Sequence, residues 1–134
     1  MIKVGINGFG RIGRSIFRIN EIENNFNIVA INDIDPLIEN HAYLLNYDSL
    51  YGSLKKKIHV SDNMFVKNNG EKINFFNNDK IDEVPWLDAG VDVVIDSSGI
   101  FDNVLRSHNL IKKGLKKVIV THSPSKSIDK TLIL

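Results

Sequence analysis

Apolar residues fall into short runs along the chain, and the period of the runs changes from segment to segment. Ile2 to Ile6 is short enough for a buried strand and is followed at once by a glycine-rich turn, Gly8-Phe9-Gly10-Arg11-Ile12-Gly13. Beyond the turn, Ile12, Ile16 and Ile19 recur at helical spacing, which predicts a helix with these three on its inner face. A second apolar run, Ile28 to Ile31, ends at Asn32-Asp33. Asp35 then offers a capping carboxylate and Pro36 a first helical position, ahead of a helix over Leu37 to Leu45. Strand, helix and strand within about 30 residues is the size of a right-handed parallel crossover.

The middle of the chain reads differently. Lys57 to Val60, Met64 to Lys67 and Lys72 to Phe76 are strand-like pieces, and Asn68-Asn69-Gly70 tolerates positive φ in a tight turn, so a small antiparallel insertion is expected there. Near-continuous valine and isoleucine return in Val91-Asp92-Val93-Val94-Ile95 after the turn residues Asp88-Ala89-Gly90, the mark of a strand buried on both faces. A helix from about Asn103 to Lys113 leads into Lys117 to Val120, and Thr131 to Leu134 reads as the start of another strand. The pattern predicts an α/β fold: a doubly wound, Rossmann-like, mostly parallel sheet with helices on both faces and a small antiparallel insertion, one domain over residues 1–134.

Composition removes several classes of function. With 134 residues, 43% of them hydrophobic, the chain can bury one core. Seventeen basic against sixteen acidic residues leave a net charge of +1 with no long run of either sign, which gives no reason to expect nucleic acid or membrane as a partner. The clusters Lys55-Lys56-Lys57 and Lys116-Lys117 read as solvated edges. Cysteine is absent, so this chain offers no disulfide, thiolate metal site or cysteine nucleophile. His41, His59, His108 and His122 lack metal-ligand spacing, and the first three are assigned surface or packing roles, leaving no metal site expected. Lys3 follows Met1-Ile2 without a long apolar run or a small-residue cleavage site, so a cytoplasmic protein is expected.

The glycine string carries the candidate chemistry. Gly-x-Gly-x-x-Gly is weak by itself, because glycines also serve turns that bind nothing; a structural turn followed by a coincidental helix-capping aspartate is the bland alternative. Here the string follows a strand and opens a helix. Gly8 permits the turn, Gly10 lacks the side chain that would keep a pyrophosphate from the backbone, and Gly13 lets helix and sheet pack closely. Free amides around Arg11 and Ile12, at the positive end of the helix dipole, would face the phosphates. About twenty residues on stands Asp33, whose carboxylate can accept hydrogen bonds from both adenosine ribose hydroxyls and would repel a 2′-phosphate, so NAD is expected over NADP.

Ile6-Asn7-Gly8-Phe9-Gly10-Arg11-Ile12-Gly13-Arg14 resembles the N-terminal signature of the glyceraldehyde-3-phosphate dehydrogenase family. Ala30-Ile31-Asn32-Asp33, Leu44 to Ser49 with Gly52, Gly90 to Phe101, and Gly114 to Val120 follow in the family's order and spacing, so the resemblance covers the whole chain. It implies the cofactor half of the enzyme, the half with the nucleophilic cysteine, its histidine and most phosphate-binding residues lying elsewhere. Asn7 and Gly8 to Gly13 would hold the pyrophosphate, Asp33 the ribose, and Ser97, Ser98 and Gly99 the cleft floor. Phe101 would flank the adenine and Thr121 approach the nicotinamide end. Without the family, Ser97 to Gly99 would read equally as a helix-capping turn, and Phe101 as a core residue. The resemblance implies a cysteine thiolate attacking the aldehyde of a small aldehyde phosphate, hydride transfer to NAD, release of the acyl group by inorganic phosphate, and a homotetramer.

Some positions depart from that pattern. Asn77-Asn78-Asp79 stand where a basic residue often lies near the adenine, and Tyr51 where histidine is common. Thr121-His122-Ser123-Pro124-Ser125 has the length and histidine of the related erythrose-4-phosphate dehydrogenases, while Asp33 points back to glyceraldehyde 3-phosphate. A free-standing NAD-binding module without activity is the remaining alternative.

Overall fold

The computed structural model describes residues 1–121, and the expected strand at Thr131 to Leu134 lies outside them. The chain runs β1 (Lys3–Asn7), α1 (Arg11–Glu23), β2 (Asn27–Asn32), α2 (Ile38–Asn46), the hairpin strands β3 (Tyr47–Asp48) and β4 (Gly52–Ser53), then β5 (His59–Ser61), β6 (Met64–Val66) and β7 (Lys72–Phe76). A 3₁₀ turn (Ile81–Glu83), β8 (Val93–Asp96), α3 (Phe101–Lys113) and β9 (Lys117–Val120) complete it. The main sheet has the order β5-β6-β7-β2-β1-β8-β9, with β3 and β4 as a separate pair. All pairings from β7 to β9 are parallel, and only β5–β6 and β6–β7 are antiparallel. This is the mostly parallel, Rossmann-like α/β sheet expected. From β1 the chain builds first toward β2 and β7, then returns to lay β8 and β9 on the other side. The strand order therefore reverses between β1 and β8, where such sheets open a crevice at their carboxyl ends.

The antiparallel insertion stands where it was expected, while the start of α2 and the phase of α1 are corrected. The insertion is continuous with the main sheet, because β7 closes it and pairs in parallel with β2 through Ala30–Asn74, Ile31–Phe75 and Asn32–Phe76. Its first turn uses Asp62 and Asn63, both at positive φ as a two-residue hairpin turn requires, and Gly70 serves the second. α2 starts at Ile38, not Leu37, because Asp35 spends its carboxylate on a local turn, Oδ1 accepting the Leu37 N–H at 3.0 Å. Finally, α1 is rotated from its expected phase. Gly13, Phe17 and Asn20 are buried, Ile16 is partly so, and Ile12 and Ile19 are exposed. Close approach at Gly13 sets that rotation. A Cβ there would lie 2.3 Å from the Gly8 carbonyl oxygen. Asn20 faces inward because its side chain ties down the turn that follows the helix, donating to the Phe26 carbonyl and accepting from the Asn25 and Phe26 amides.

The core lies on both faces of the sheet. One face packs Phe9, Phe17, Phe65 and Phe75 with Ile6, Ile31 and Leu45 beneath α1 and α2. The other packs Trp86, Val94, Ile81, Leu110 and Leu115 beneath α3. Gly5 makes room for Trp86, whose ring carbons lie 2.6 Å from where a Cβ would stand, and the indole N–H is satisfied by the Ile81 carbonyl at 2.9 Å. Each fully buried side chain of this size contributes about 1.5–3 kcal/mol from area removed from water.

Candidate cofactor site

The carboxyl ends of β1, β2 and β8 carry polar residues that the sheet's apolar runs would not lead one to expect, and these bind one another. Asn32 Nδ2 donates to Asn7 Oδ1 at 2.7 Å, and Asn7 Nδ2 donates to Asp96 Oδ1 at 3.1 Å. Asn32 also exchanges bonds with the backbone of Asn78, accepting from its N–H at 2.9 Å and donating to its carbonyl at 3.0 Å. All three side chains are buried, so each bond replaces water rather than competing with it, and the network fixes the strand ends in register. The Asn7 side chain is thereby committed to the scaffold.

Two turns rise from this base. In the first, Gly8 has φ +91°, and a Cβ would meet the Ser98 backbone at 2.6 Å. Phe9 points away from the cleft: its ring is fully buried against Phe17 and Phe65, and its N–H donates to Asp33 Oδ2 at 2.6 Å. That corrects the expectation of Phe9 as a contact to the pyrophosphate, since its amide is already held by Asp33. Gly10 precedes α1 with nothing within 4 Å of a Cβ position. Arg11 and Ile12, both exposed, open α1, whose start has no side-chain cap and no acidic residue in the first turn.

The second turn is braced against the first. Ser97 Oγ donates to the Gly8 carbonyl at 2.6 Å, and Ser97 N–H donates to the Asn7 carbonyl. Ser98 donates through Oγ and N–H to Asp96 Oδ1, at 2.7 and 3.2 Å, and its Oγ accepts from Asn103 Nδ2 of α3. Gly99 follows at φ +71°. Phe101 begins α3 and is 63% exposed, which excludes the core role its residue type alone suggests. Thr121 follows β9, its N–H and Oγ1 both donating to the Asp96 carbonyl.

A cleft of about 170 Å³ opens between the turns. Asn7, Gly8, Gly10, Asp33, Ser97 and Ser98 line it, together with residues that sequence reasoning did not single out, among them Asn32, Ile34 and Asn103. Phe9, Arg11, Ile12, Gly13, Gly99, Phe101 and Thr121 do not line it. Asn78 and Asp79 do, so the segment found wanting a basic residue does reach the site. Asn32 carried one sequence signal, a polar residue closing an apolar strand; Asn103 carried none, being one polar position on a polar helix.

The geometry fits a dinucleotide. An uncapped helix start with a bare Gly10 beside it leaves backbone N–H groups for a pyrophosphate, and the dipole favours its charge. Asp33 lies across the cleft, its oxygens retaining lone pairs beyond the bonds from Phe9 and Asp35. Among the described residues no group of three or more histidines, aspartates and glutamates stands where it could hold a metal ion.

Comparison with known proteins agrees with this geometry. Residues 2–104 match the family described as glyceraldehyde 3-phosphate dehydrogenase, NAD binding domain. The chain is 43% identical over 121 residues to a chloroplastic glyceraldehyde-3-phosphate dehydrogenase of Arabidopsis thaliana, covering 89% of this chain and 28% of that one. It is 44% identical over 126 residues to the glyceraldehyde-3-phosphate dehydrogenase of Buchnera aphidicola (93% and 37%), and 44% over 124 residues to that of Ajellomyces capsulatus (90% and 36%). The chain thus spans roughly a third of the length of these relatives. It belongs to the glyceraldehyde 3-phosphate dehydrogenase family, and the part it represents is the NAD-binding domain.

Proposed function

We propose that this chain places NAD for the oxidation of glyceraldehyde 3-phosphate with inorganic phosphate, the reacting thiol and substrate groups coming from polypeptide beyond these 134 residues. The observation that carries the reading is the glycine turn seated at the reversal of strand order, opposite Asp33. Gly10 and the start of α1 hold the pyrophosphate. Asp33 takes the adenosine ribose hydroxyls, Ser97 and Ser98 floor the cleft with Gly99 turning the chain beyond them, Phe101 flanks the adenine, and Thr121 stands toward the nicotinamide. Bound NAD supplies a hydride acceptor. The residues here orient it, and the absence of cysteine leaves the covalent step to another segment.

The complete protein, in this reading, is a homotetramer. Tyr43, Tyr47, Leu50 and Tyr51 support association, since all four are exposed on α2 and the adjoining hairpin, and light scattering on the complete protein reads it directly.

Titrating this chain with NAD and with ADP-ribose tests the division of labour. Dissociation constants in the micromolar to millimolar range, about 4–8 kcal/mol, are expected, with ADP-ribose binding nearly as well as NAD. A large advantage for NAD would mean that this chain grips the nicotinamide itself. NADH formed from glyceraldehyde 3-phosphate and phosphate by the pure chain would overturn the proposal.

A further inference from the structure

His41 lies in α2 and is buried, its ring packed against Phe9 and Phe75 with centroids 6.2 and 5.6 Å away. Its Nδ1 is buried without a hydrogen-bond partner. An apolar residue would fill this slot without leaving a polar nitrogen unsatisfied, so the histidine is accounted for by its other nitrogen. Nε2 is 2.9 Å from the Asp35 backbone carbonyl and 3.7 Å from Asp33 Oδ1. A carbonyl can only accept, so Nε2 carries the proton and the tautomer is fixed.

The same N–H therefore closes one side of the carboxylate that faces the ribose. Asp33 is held on two other sides: Oδ2 accepts from Phe9 N–H of the glycine turn, and Oδ1 from Asp35 N–H. Asn77 Nδ2 ties the same turn down by donating to the Asp33 and Ile34 carbonyls. We propose that His41 is a positioning residue for cofactor choice: by donating its one Nε2–H to the Asp35 carbonyl, with Asp33 Oδ1 beside that dipole at 3.7 Å, it holds the 33–35 turn and so keeps Asp33 in the one orientation that accepts ribose hydroxyls and rejects a 2′-phosphate. A 2′-phosphate enters only if Asp33 swings away, which breaks the hydrogen bonds from the Phe9 and Asp35 N–H groups and separates the carboxylate from the Nε2–H dipole. Without that N–H the 33–37 turn loosens, the Asp35 amide drifts from Oδ1, and the swing becomes easier.

The inference rests on the proposed ribose role of Asp33, and the experiment separates the two. NAD and NADP dissociation constants are measured by equilibrium titration on the complete protein for wild type, His41→Leu, His41→Asn, His41→Gln and Asp33→Ser. His41→Leu should weaken NAD about fivefold, the scale of one net hydrogen bond, and narrow the preference over NADP. His41→Asn, whose amide stops short of the carbonyl, should match it, which covers the case that the leucine variant does not fold. His41→Gln, whose Nε2 reaches the carbonyl, should restore most of the preference. A lowered melting temperature with an unchanged ratio of NAD to NADP affinity in the leucine and asparagine variants would make His41 merely structural and overturn the inference, as would a glutamine variant no better than leucine. Should Asp33→Ser leave that ratio unchanged, the ribose role of Asp33 falls first; a changed ratio there with an unchanged one at His41 removes the His41 inference alone.

Discussion

The two sides of the cleft are held in place by different forces. The glycine turn is anchored through apolar burial: Phe9 plunges from it into the face covered by α1 and α2, among Phe17, Phe65 and Phe75. The serine turn is anchored through directed hydrogen bonds on the face covered by α3. There Asn103 reaches Ser98 with its amide, and its oxygen accepts the Ile81 N–H at 3.1 Å. Asp82, next in the 3₁₀ turn, is in turn bound by Arg106 and Asn109 of α3. Burial is large and non-directional, whereas hydrogen bonds are smaller and fix angles. The turn that approaches the pyrophosphate is thus held mainly by volume, and the floor of the cleft mainly by geometry.

The largest expected effects test this division on the two faces. Phe9→Ala and Trp86→Ala should each destabilise the fold by about 3–5 kcal/mol, the usual cost of emptying a large aromatic site. Only Phe9→Ala should also weaken NAD binding of the folded protein, because the Phe9 amide that holds Asp33 rides on that anchor. Chemical denaturation and calorimetry at a temperature where both variants remain folded read the two quantities separately. Equal NAD affinity in the two variants would show that the apolar anchor does not position the turn.

How far the sequence foretold the molecule follows the same line. Strands inside the sheet must be apolar, so β1, β2 and β8 were legible within a residue or two; β9, at the sheet edge with Ile119 47% exposed, was legible from its valine and isoleucine run alone, and the turn demanded glycine at Gly8 and Gly13 for reasons the structure supplies as distances. The phase of α1 was not legible, because two of its four inward residues are Gly13 and Asn20, which no hydrophobic template counts. The asparagine network was not legible either. Asn32 and Asn78 are 46 residues apart and meet only because β7 lies beside β2. Phe101 misled on residue type alone, since an aromatic at a helix start is packed or exposed according to what the neighbouring loop does.

A smaller pair of effects sharpens the comparison within the glycine turn itself. Gly13→Ala puts a methyl group 2.3 Å from a backbone oxygen that cannot rotate away, so a loss of about 1–3 kcal/mol in stability is expected, with NAD binding falling as α1 shifts. Gly10→Ala meets no atom, and φ −83° suits any residue, so stability should change by less than about 0.5 kcal/mol. Its methyl nevertheless stands where the cleft opens. NAD affinity should therefore fall in Gly10→Ala without the stability loss seen in Gly13→Ala, and thermal melts alongside titrations distinguish the two patterns.

The smallest effect belongs to the hydrogen-bonded face and is read through pH. Burial raises the Asp82 carboxyl, but hydrogen bonds from Asn109 and Arg106 and the Arg106 charge more than reverse this, so it titrates below the ordinary aspartate value. A carboxyl depressed in the folded state contributes stability that is fully present above its unfolded pKa, about 3.9, and is lost as pH falls through the folded value. Asp82→Asn removes the charge while keeping the shape, and should cost about 1 kcal/mol near neutrality, the scale of a partly exposed charge-assisted bond. The gap between wild type and variant should stay level above about pH 5 and close as pH drops below about 4, whereas the deficit of Phe9→Ala, made of lost apolar contact, should not change over that range. Denaturation midpoints across the acid range measure both. A gap for Asp82→Asn that persists unchanged at the lowest pH where the protein folds would mean that the α3 face is held by packing too, and the contrast between the two sides of the cleft would disappear.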